Sequence, residues 1–124
     1  MARILVVDDS AFIRKLIRDI LTSEGHSVVG EAENGIDAVA LFHALRPDVT
    51  TLDIRMPGKD GLAVLAEIMT VAPTARVVMC SAAGEASKVI QSIRLGAKDF
   101  IVKPLQPGRL VEAVETALSY RGGG

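Results

Sequence analysis

Four charged side chains follow short apolar segments of this sequence, and together they have the chemistry of a site that handles phosphate. Asp8 and Asp9 come directly after one apolar run, Asp53 ends a second, and Lys103 ends a third. Short apolar runs that alternate with helical patterns are typical of buried strands in a parallel sheet. Ligand sites in such sheets form outside the carboxyl ends of the strands. The sequence therefore predicts that these four charges converge on one edge of a sheet.

These residue types suit the transfer of a phosphoryl group to a carboxylate. An ionised aspartate can attack phosphorus and form an acyl phosphate, provided that its repulsion from the phosphoryl group is cancelled. Mg²⁺ can cancel it, since this ion binds one or two carboxylates together with waters and phosphate oxygens. Asp8, Asp9 and Asp53 are the candidate metal ligands, and Lys103 would balance the remaining negative charge. Ser81 ends another apolar run, from which its hydroxyl could donate to a phosphoryl oxygen.

Each of these residues also has an ordinary structural role. Asp8 and Asp9 could cap the first helix together with Ser10. Asp53 taken alone would be a turn residue, and Lys103 taken alone would be a solvated charge. Their joint occurrence at the ends of separate strands favours a chemical site.

Composition and charge are those of one small globular domain. The chain has 124 residues, of which 49% are hydrophobic, and this is enough for one core. The net charge of -1 argues against nucleic acid as a partner. No apolar stretch is long enough to span a bilayer, and no signal peptide is evident. The single cysteine, Cys80, excludes an intrachain disulfide and suits the cytosol, while His26 and His43 lack partners at zinc-ligand spacing.

The apolar periodicity predicts five strands that alternate with five helices. The first helix is the clearest, with Ser10 as its N-cap, Gly25 as its stop, and Arg14, Lys15 and Arg18 on a solvated face. Such alternation predicts an α/β domain whose parallel sheet carries two helices on one face and three on the other. The strands are predicted near 3–7, 28–32, 49–53, 76–81 and 99–102, and the helices near 11–23, 35–45, 61–71, 86–95 and 107–120.

Taken together, the motifs resemble the receiver domain of two-component response regulators, along nearly the whole chain. The resemblance implies a single doubly wound (βα)5 domain of the flavodoxin-like, CheY-like fold, with the family's strand order 2-1-3-4-5. It also implies that residues 1–120 form this domain and that residues 121–124 are a flexible tail. The motifs are Val6-Val7-Asp8-Asp9-Ser10, Asp53-Ile54-Arg55-Met56-Pro57 with Gly61 four residues after the proline, Ser81-Ala82, and Lys103-Pro104.

The resemblance also implies a role for each charged site residue. Asp53 is then the phosphoacceptor, and Lys103 pairs with the phosphoryl group. Mg²⁺ is the expected cofactor, bound by Asp9, by Asp53 and by the backbone carbonyl of Arg55. Asp8 contributes to the metal site mainly through water.

Two further residues match the family's switch elements. Ser81 corresponds to the switch hydroxyl, and Phe100 corresponds to the switch aromatic, which is often tyrosine in the family. The Lys103–Pro104 peptide is expected to be cis. Arg55 and Ala83 occupy positions that tune dephosphorylation in the family.

The implied function is a signalling switch rather than an enzyme. Segments 10–15, 78–82 and 96–104 are most similar to stand-alone chemotaxis regulators of the CheY type. The expected partners are a histidine kinase of chemotaxis, an output protein such as the flagellar motor switch, and a phosphatase. The chain is expected to be a cytoplasmic monomer whose output face comprises the fourth helix, fifth strand and fifth helix. Segment 51–57 also resembles the receiver half of the chemotaxis methylesterase, so an excised receiver or a phosphorelay intermediate is an alternative.

Two other classes of protein fit the residues less well. A flavin-binding electron carrier of this fold class needs a Ser/Thr-rich phosphate loop after the first strand, where this chain has Asp8 and Asp9. A phosphatase that works through an aspartyl phosphate usually has a general acid two residues from its nucleophile, where this chain has Arg55 and Thr51.

Overall fold

Strands and helices alternate along the computed structural model, which describes residues 1–120. The predicted bounds are confirmed and differ from the observed ones by one residue at most, whereas the predicted tail at 121–124 lies outside the described residues. No helix within the described part of the chain is long and apolar enough to cross a membrane. The elements are β1 (Arg3–Val7), α1 (Ala11–Ser23), β2 (Ser27–Ala32), α2 (Gly35–Leu45), β3 (Val49–Asp53), α3 (Gly61–Val71), β4 (Val77–Ser81), α4 (Ala86–Leu95), β5 (Asp99–Val102) and α5 (Pro107–Ser119).

The five strands form one parallel sheet in the order β2-β1-β3-β4-β5, as predicted. Val7, at the end of β1, pairs with β3 one residue before Asp53. Asp53 lies opposite Cys80 of β4, and Ser81 lies opposite Val102 of β5. This register brings the carboxyl ends of four strands to one edge, where the candidate residues then lie together.

Each face of the sheet carries its own hydrophobic core. Helices α1 and α5 pack on one face, and helices α2, α3 and α4 pack on the other, which confirms the predicted division. Burial of a large aliphatic side chain contributes roughly 1.5–3 kcal/mol, so the two cores hold the helices on the sheet. Fully buried examples are Ile17, Leu21, Leu110 and Val114 on the first face and Leu52, Leu65, Ile68 and Met79 on the second.

The cap and stop residues that the sequence predicts lie at the ends of the helices. The Ser10 side chain accepts a hydrogen bond from the Ile13 backbone N–H at 3.2 Å and so caps α1. The first helix ends at the C-cap Glu24, and the predicted stop, Gly25, follows it. Gly96 caps α4 with a φ of 118°, a left-handed conformation that glycine adopts without a steric penalty.

The polar face of α1 is less solvated than the sequence predicts. Arg14 is only 14% exposed, because its Nε lies 3.1 Å from a Glu31 carboxylate oxygen and its Nη1 donates to the Asp8 carbonyl at 2.7 Å. Arg18 also donates to Glu31, and its hydrogen bond is the main reason that the pKa of Glu31 lies below its ordinary value. The prediction of a solvated side chain is therefore wrong for Arg14, which ties α1 to β2 and to the end of β1.

Two hydroxyl groups on β3 are buried without a hydrogen-bond partner among the described residues, those of Thr50 and Thr51. An unsatisfied buried polar group costs roughly 1–3 kcal/mol. Thr51→Val keeps the branched shape and removes the hydroxyl, so we expect its free energy of unfolding to rise by about 1 kcal/mol. Urea denaturation measures this change. Thr51→Ser, which keeps the hydroxyl, is the matched control, and a Thr51→Val protein less stable than the parent would contradict the expectation.

Candidate functional site

Three carboxylates meet at the carboxyl edge of the sheet, as the sequence predicts. Asp8 and Asp9 follow β1, and Asp53 ends β3. One carboxylate oxygen from each residue lies within 4.8 Å of the others. Asp8 and Asp53 are buried, whereas Asp9 is exposed. A group of carboxylate oxygens at this spacing could hold a hard cation such as Mg²⁺.

Lys103 joins this cluster from the end of β5. Its Nζ lies 3.0 Å from Asp8 Oδ2 and 3.4 Å from Asp53 Oδ1. The Lys103–Pro104 peptide is cis, as expected, and the Lys103 backbone N–H donates to the Ser81 carbonyl at 2.7 Å. Burial by itself would lower the pKa of Lys103, but the hydrogen bond to Asp8 and the charges of both aspartates outweigh it and raise that pKa. The lysine therefore stays charged at the site.

Burial and a neighbouring carboxylate change the acidity of Asp53. Burial, and then the negative charge of Asp8, raise the pKa of Asp53 from 3.8 to about 6. The Lys103 charge and the Arg55 backbone N–H oppose this rise but do not cancel it. A cation that binds the three carboxylates would favour the ionised form of Asp53, which is the form that can act as a nucleophile.

A glycine lets α3 begin against the end of β3. A Cβ atom at Gly61 would lie 2.2 Å from the Asp53 carbonyl oxygen and 2.7 Å from Ile54 Cα, which no larger residue tolerates. The Gly61 backbone N–H instead donates to the Ile54 carbonyl at 2.8 Å. This close approach explains the glycine of the sequence motif and holds the backbone of Asp53 in place.

Ser81 and Phe100 lie beside the acidic cluster rather than within it. Both line a cavity of about 520 Å³ between the β4–α4 loop, α4 and β5. The Ser81 hydroxyl donates to the Ile101 carbonyl at 3.5 Å, a long and therefore weak hydrogen bond. Phe100 is half-buried and packs against the core under α2, α3 and α4. The Ser81 side chain is therefore only weakly held by its polar contact.

One residue of this region was missed by sequence reasoning. Glu85 is almost wholly buried, and its carboxylate accepts hydrogen bonds from the Ala82 backbone N–H at 2.7 Å and from Arg55 Nε at 3.2 Å. Arg55, expected to contribute its backbone carbonyl, thus uses its side chain to bridge two loops. The one available signal was an acidic residue just before the predicted fourth helix, where carboxylates are favoured by the helix dipole.

A doubly wound α/β sheet with three carboxylates and a lysine at its carboxyl edge defines the class of receiver domains. The family model described as the response regulator receiver domain matches residues 4–115, so the chain belongs to this family.

Individual relatives agree with this membership. The chemotaxis protein CheY of Bacillus subtilis is 51% identical over 117 residues, which cover 94% of this chain and 98% of that protein. The response regulator domain of Thermotoga maritima CheB is 40% identical, with a TM-score of 0.88 and coverage of 96% and 97%. A chain in the CheX–CheY–BeF3–Mg²⁺ complex from Borrelia burgdorferi is 39% identical, with a TM-score of 0.89 and coverage of 95% and 90%. The chain is thus similar to receivers of both the CheY and the CheB kind.

The raised pKa of Asp53 predicts a pH-dependent loss of stability in the absence of metal. The protonated form of Asp53 stabilises the fold fully below its ordinary pKa of 3.8, and this contribution is lost as pH rises through about 6. We therefore expect Asp53→Asn to raise the free energy of unfolding by about 1–3 kcal/mol above neutral pH and by little near pH 3. Urea denaturation in EDTA across this pH range measures the difference.

The control for this prediction is Asp19→Asn, which removes one exposed carboxylate that pairs with Lys15 away from the cluster. It should show no comparable gain above neutral pH. A benefit of Asp53→Asn that is independent of pH would contradict the claim that burial and the charge of Asp8 make the ionised form of Asp53 unfavourable.

Proposed function

We propose that this receiver domain, comprising residues 1–120, is a phosphorylation-activated signalling switch in which Asp53 accepts a phosphoryl group from a histidine kinase. One observation carries the proposal: the Asp53 carboxylate lies 3.4 Å from Lys103 Nζ and beside two further carboxylates. An Asp53 oxygen attacks phosphorus while the bond from phosphorus to the histidine nitrogen breaks. The imidazole leaves with the electrons of that bond and takes up a proton, and the product is an acyl phosphate.

A divalent cation fits the residues at this edge of the sheet. Asp9, Asp53 and the backbone carbonyl of Arg55 would hold Mg²⁺ directly, and Asp8 would act mainly through water. Oxygen donors of this kind match the preference of Mg²⁺, which when bound neutralises charge on the phosphoryl oxygens. The Borrelia complex, whose name includes both Mg²⁺ and BeF3, a mimic of the phosphoryl group, supports this assignment.

Lys103 and the switch residues respond to the new charge. The ammonium group of Lys103, already between Asp8 and Asp53, pairs with a phosphoryl oxygen. The Ser81 hydroxyl exchanges its long bond to the Ile101 carbonyl for a charge-assisted bond to the phosphoryl group, which is stronger. Phe100 turns into the space that Ser81 leaves.

The movement of Phe100 repacks the face that α4, β5 and α5 present to partners. A partner that binds the repacked face more tightly than the resting one shifts the population toward it, by an amount set by the difference in affinity. This face already carries exposed apolar side chains on α4 and β5, namely Ile90, Ile93 and Val102.

The cellular setting is chemotaxis. A relative at 51% identity bears the name of a chemotaxis protein, which supports a chemotaxis kinase as the phosphoryl donor. The output partner is the flagellar motor switch, and a phosphatase ends the signal. The domain acts as a cytoplasmic monomer without nucleic acid or membrane, and its own chemistry is limited to accepting the phosphoryl group and slow autodephosphorylation.

The second candidate is the receiver of a chemotaxis methylesterase. The similarity to the response regulator domain of CheB, at 40% identity over 96% of this chain, favours it. A pull-down with and without beryllofluoride separates the two candidates. Recovery of motor-switch protein only with beryllofluoride supports the first, and the absence of such recovery contradicts it.

If Asp53 is the phosphoacceptor, a phosphoryl adduct on it should be detectable by mass spectrometry. Acetyl phosphate should load one phosphoryl group onto the protein in the presence of Mg²⁺, because the domain itself supplies the positioning and the charge. Intact-mass spectrometry should show the adduct in the parent and lose it in Asp53→Asn. Lys103→Ala should retain Mg²⁺ binding but load at least about tenfold more slowly, since one cation near the transferring group is removed. An adduct that persists in Asp53→Asn would overturn the assignment.

A further inference from the structure

Glu85 is an unusual neighbour for a residue that receives phosphate. It precedes α4, and its side chain is only 6% exposed although it carries a carboxylate. That carboxylate accepts from the Ala82 N–H at 2.7 Å and from Arg55 Nε at 3.2 Å. We call these three residues and their two contacts the Glu85 bridge, which joins the loop after β3 to the loop after β4.

The Glu85 bridge lies next to the phosphoacceptor. Asp53 ends β3 opposite Cys80 of β4, and Ala82 begins the loop two residues later. Arg55 is likewise two residues after Asp53, and its backbone N–H points to the Asp53 carboxylate at 3.4 Å. A phosphoryl group carried beyond the end of β3 therefore arrives beside both donors that Glu85 occupies.

A phosphoryl group on Asp53 would compete with Glu85 for these donors. When ionised, a carboxylate and a phosphoryl group can accept hydrogen bonds but cannot donate them. The two groups are also both negative, and like charges at short range repel strongly where water is scarce. The Arg55 side chain is 77% exposed, so it can turn toward another acceptor without breaking any packing. A hydrogen bond from Arg55 to a phosphoryl group would be charge-assisted, as is the one that it makes to Glu85.

We propose that Glu85 is a positioning residue that holds the Ala82 amide and the Arg55 guanidinium in the resting protein and releases both to the phosphoryl group on Asp53. This proposal rests on the proposed function and names a regulatory element of the same site. The bridge stabilises the unphosphorylated arrangement, and phosphorylation expels the Glu85 carboxylate. Removal of the carboxylate charge therefore favours the phosphorylated arrangement.

Expulsion of Glu85 also reaches the partner-binding face. Glu85 is the N-cap residue of α4, and its backbone carbonyl accepts hydrogen bonds from the N–H groups of Lys88 and Val89. Its side chain makes no capping hydrogen bond to the helix, and the Glu85 bridge instead ties the start of α4 to Arg55. Val89 and Ile90 of the first turns line the 520 Å³ cavity together with Phe100. The bridge thus couples charge at Asp53 to the position of α4 by a route separate from the Ser81 hydroxyl.

The test compares Glu85→Gln with the parent protein. Glutamine keeps the shape and an oxygen that can accept from the Ala82 N–H, but it lacks the charge that repels phosphate. We expect Glu85→Gln to be loaded by acetyl phosphate about three- to tenfold faster. Glu24→Gln is the matched control, because Glu24 is exposed at the opposite edge of the sheet, and its loading rate should equal that of the parent.

A measurement on the unmutated protein keeps the proposal testable if Glu85→Gln fails to fold. Beryllofluoride should shift the NMR signals of the Glu85 carboxyl carbon, the Ala82 amide and the Arg55 Nε together, while the Glu24 carboxyl signal stays unchanged. If Glu85 served only to stabilise the fold, beryllofluoride would not shift these three signals together. The proposal would be overturned if beryllofluoride left the Glu85 and Arg55 signals unchanged. It would also be overturned if acetyl phosphate loaded Glu85→Gln and the parent at equal rates. Neither result would contradict phosphorylation of Asp53. A parent protein that acetyl phosphate cannot load would instead refute the proposed function.

Discussion

The carboxylates gathered at the end of the sheet give this domain a concentration of negative charge that the other groups of the site must offset. The sheet brings Asp8, Asp9 and Asp53 within one cluster, and burial strengthens the repulsion between Asp8 and Asp53. Lys103 offsets part of this charge through contacts of 3.0 and 3.4 Å. Burial, and then the remaining repulsion from Asp8, raise the pKa of Asp53 to about 6 and make a divalent cation the natural complement of the site. The resting domain is thus held in an arrangement that favours the arrival of positive charge.

The backbone around Asp53 is closely packed, whereas two side chains near it have few contacts. Two buried cores hold the helices on the sheet, and Gly61 allows α3 to start against the Asp53 backbone. By contrast, the Ser81 hydroxyl has one long hydrogen bond, and Arg55 is mostly exposed. A phosphoryl group on Asp53 can therefore displace the side chains of Ser81 and Arg55. Ser81 bonds to β5 through the Ile101 carbonyl, and Arg55 bonds to Glu85 at the start of α4.

Much of this structure could be predicted from the sequence because the signals are local or lie in short motifs. Apolar runs predict the strands, Ser10 predicts the start of α1, and the charges at strand ends predict the cluster of Asp8, Asp53 and Lys103. Strand order came from family resemblance, since periodicity alone does not say which strands are neighbours. Contacts between distant polar residues were harder to predict because no spacing rule relates their positions.

Three details illustrate what the sequence pattern did not reveal. Arg14 resembles any solvated helical cation, yet it lies against Glu31 of β2 and the Asp8 carbonyl. Glu85 resembles any loop acid, yet it is buried against Arg55, 30 residues earlier in the chain. Two hydroxyls of β3 are buried without partners among the described residues, although threonine is common in ordinary strands. Each detail depends on tertiary neighbours rather than on local propensity.

Titration of the Asp53 carboxyl carbon by NMR, with and without Mg²⁺, shows whether a bound cation controls the ionisation of the phosphoacceptor. Without metal, burial and then the negative charge of Asp8 should give Asp53 a pKa of about 6. With saturating Mg²⁺, the pKa should fall below its ordinary value of 3.8, because the ionised form is then the bound form. An Asp53 pKa that is the same in both conditions would contradict the claim that a cation at the three carboxylates readies Asp53 to accept phosphate.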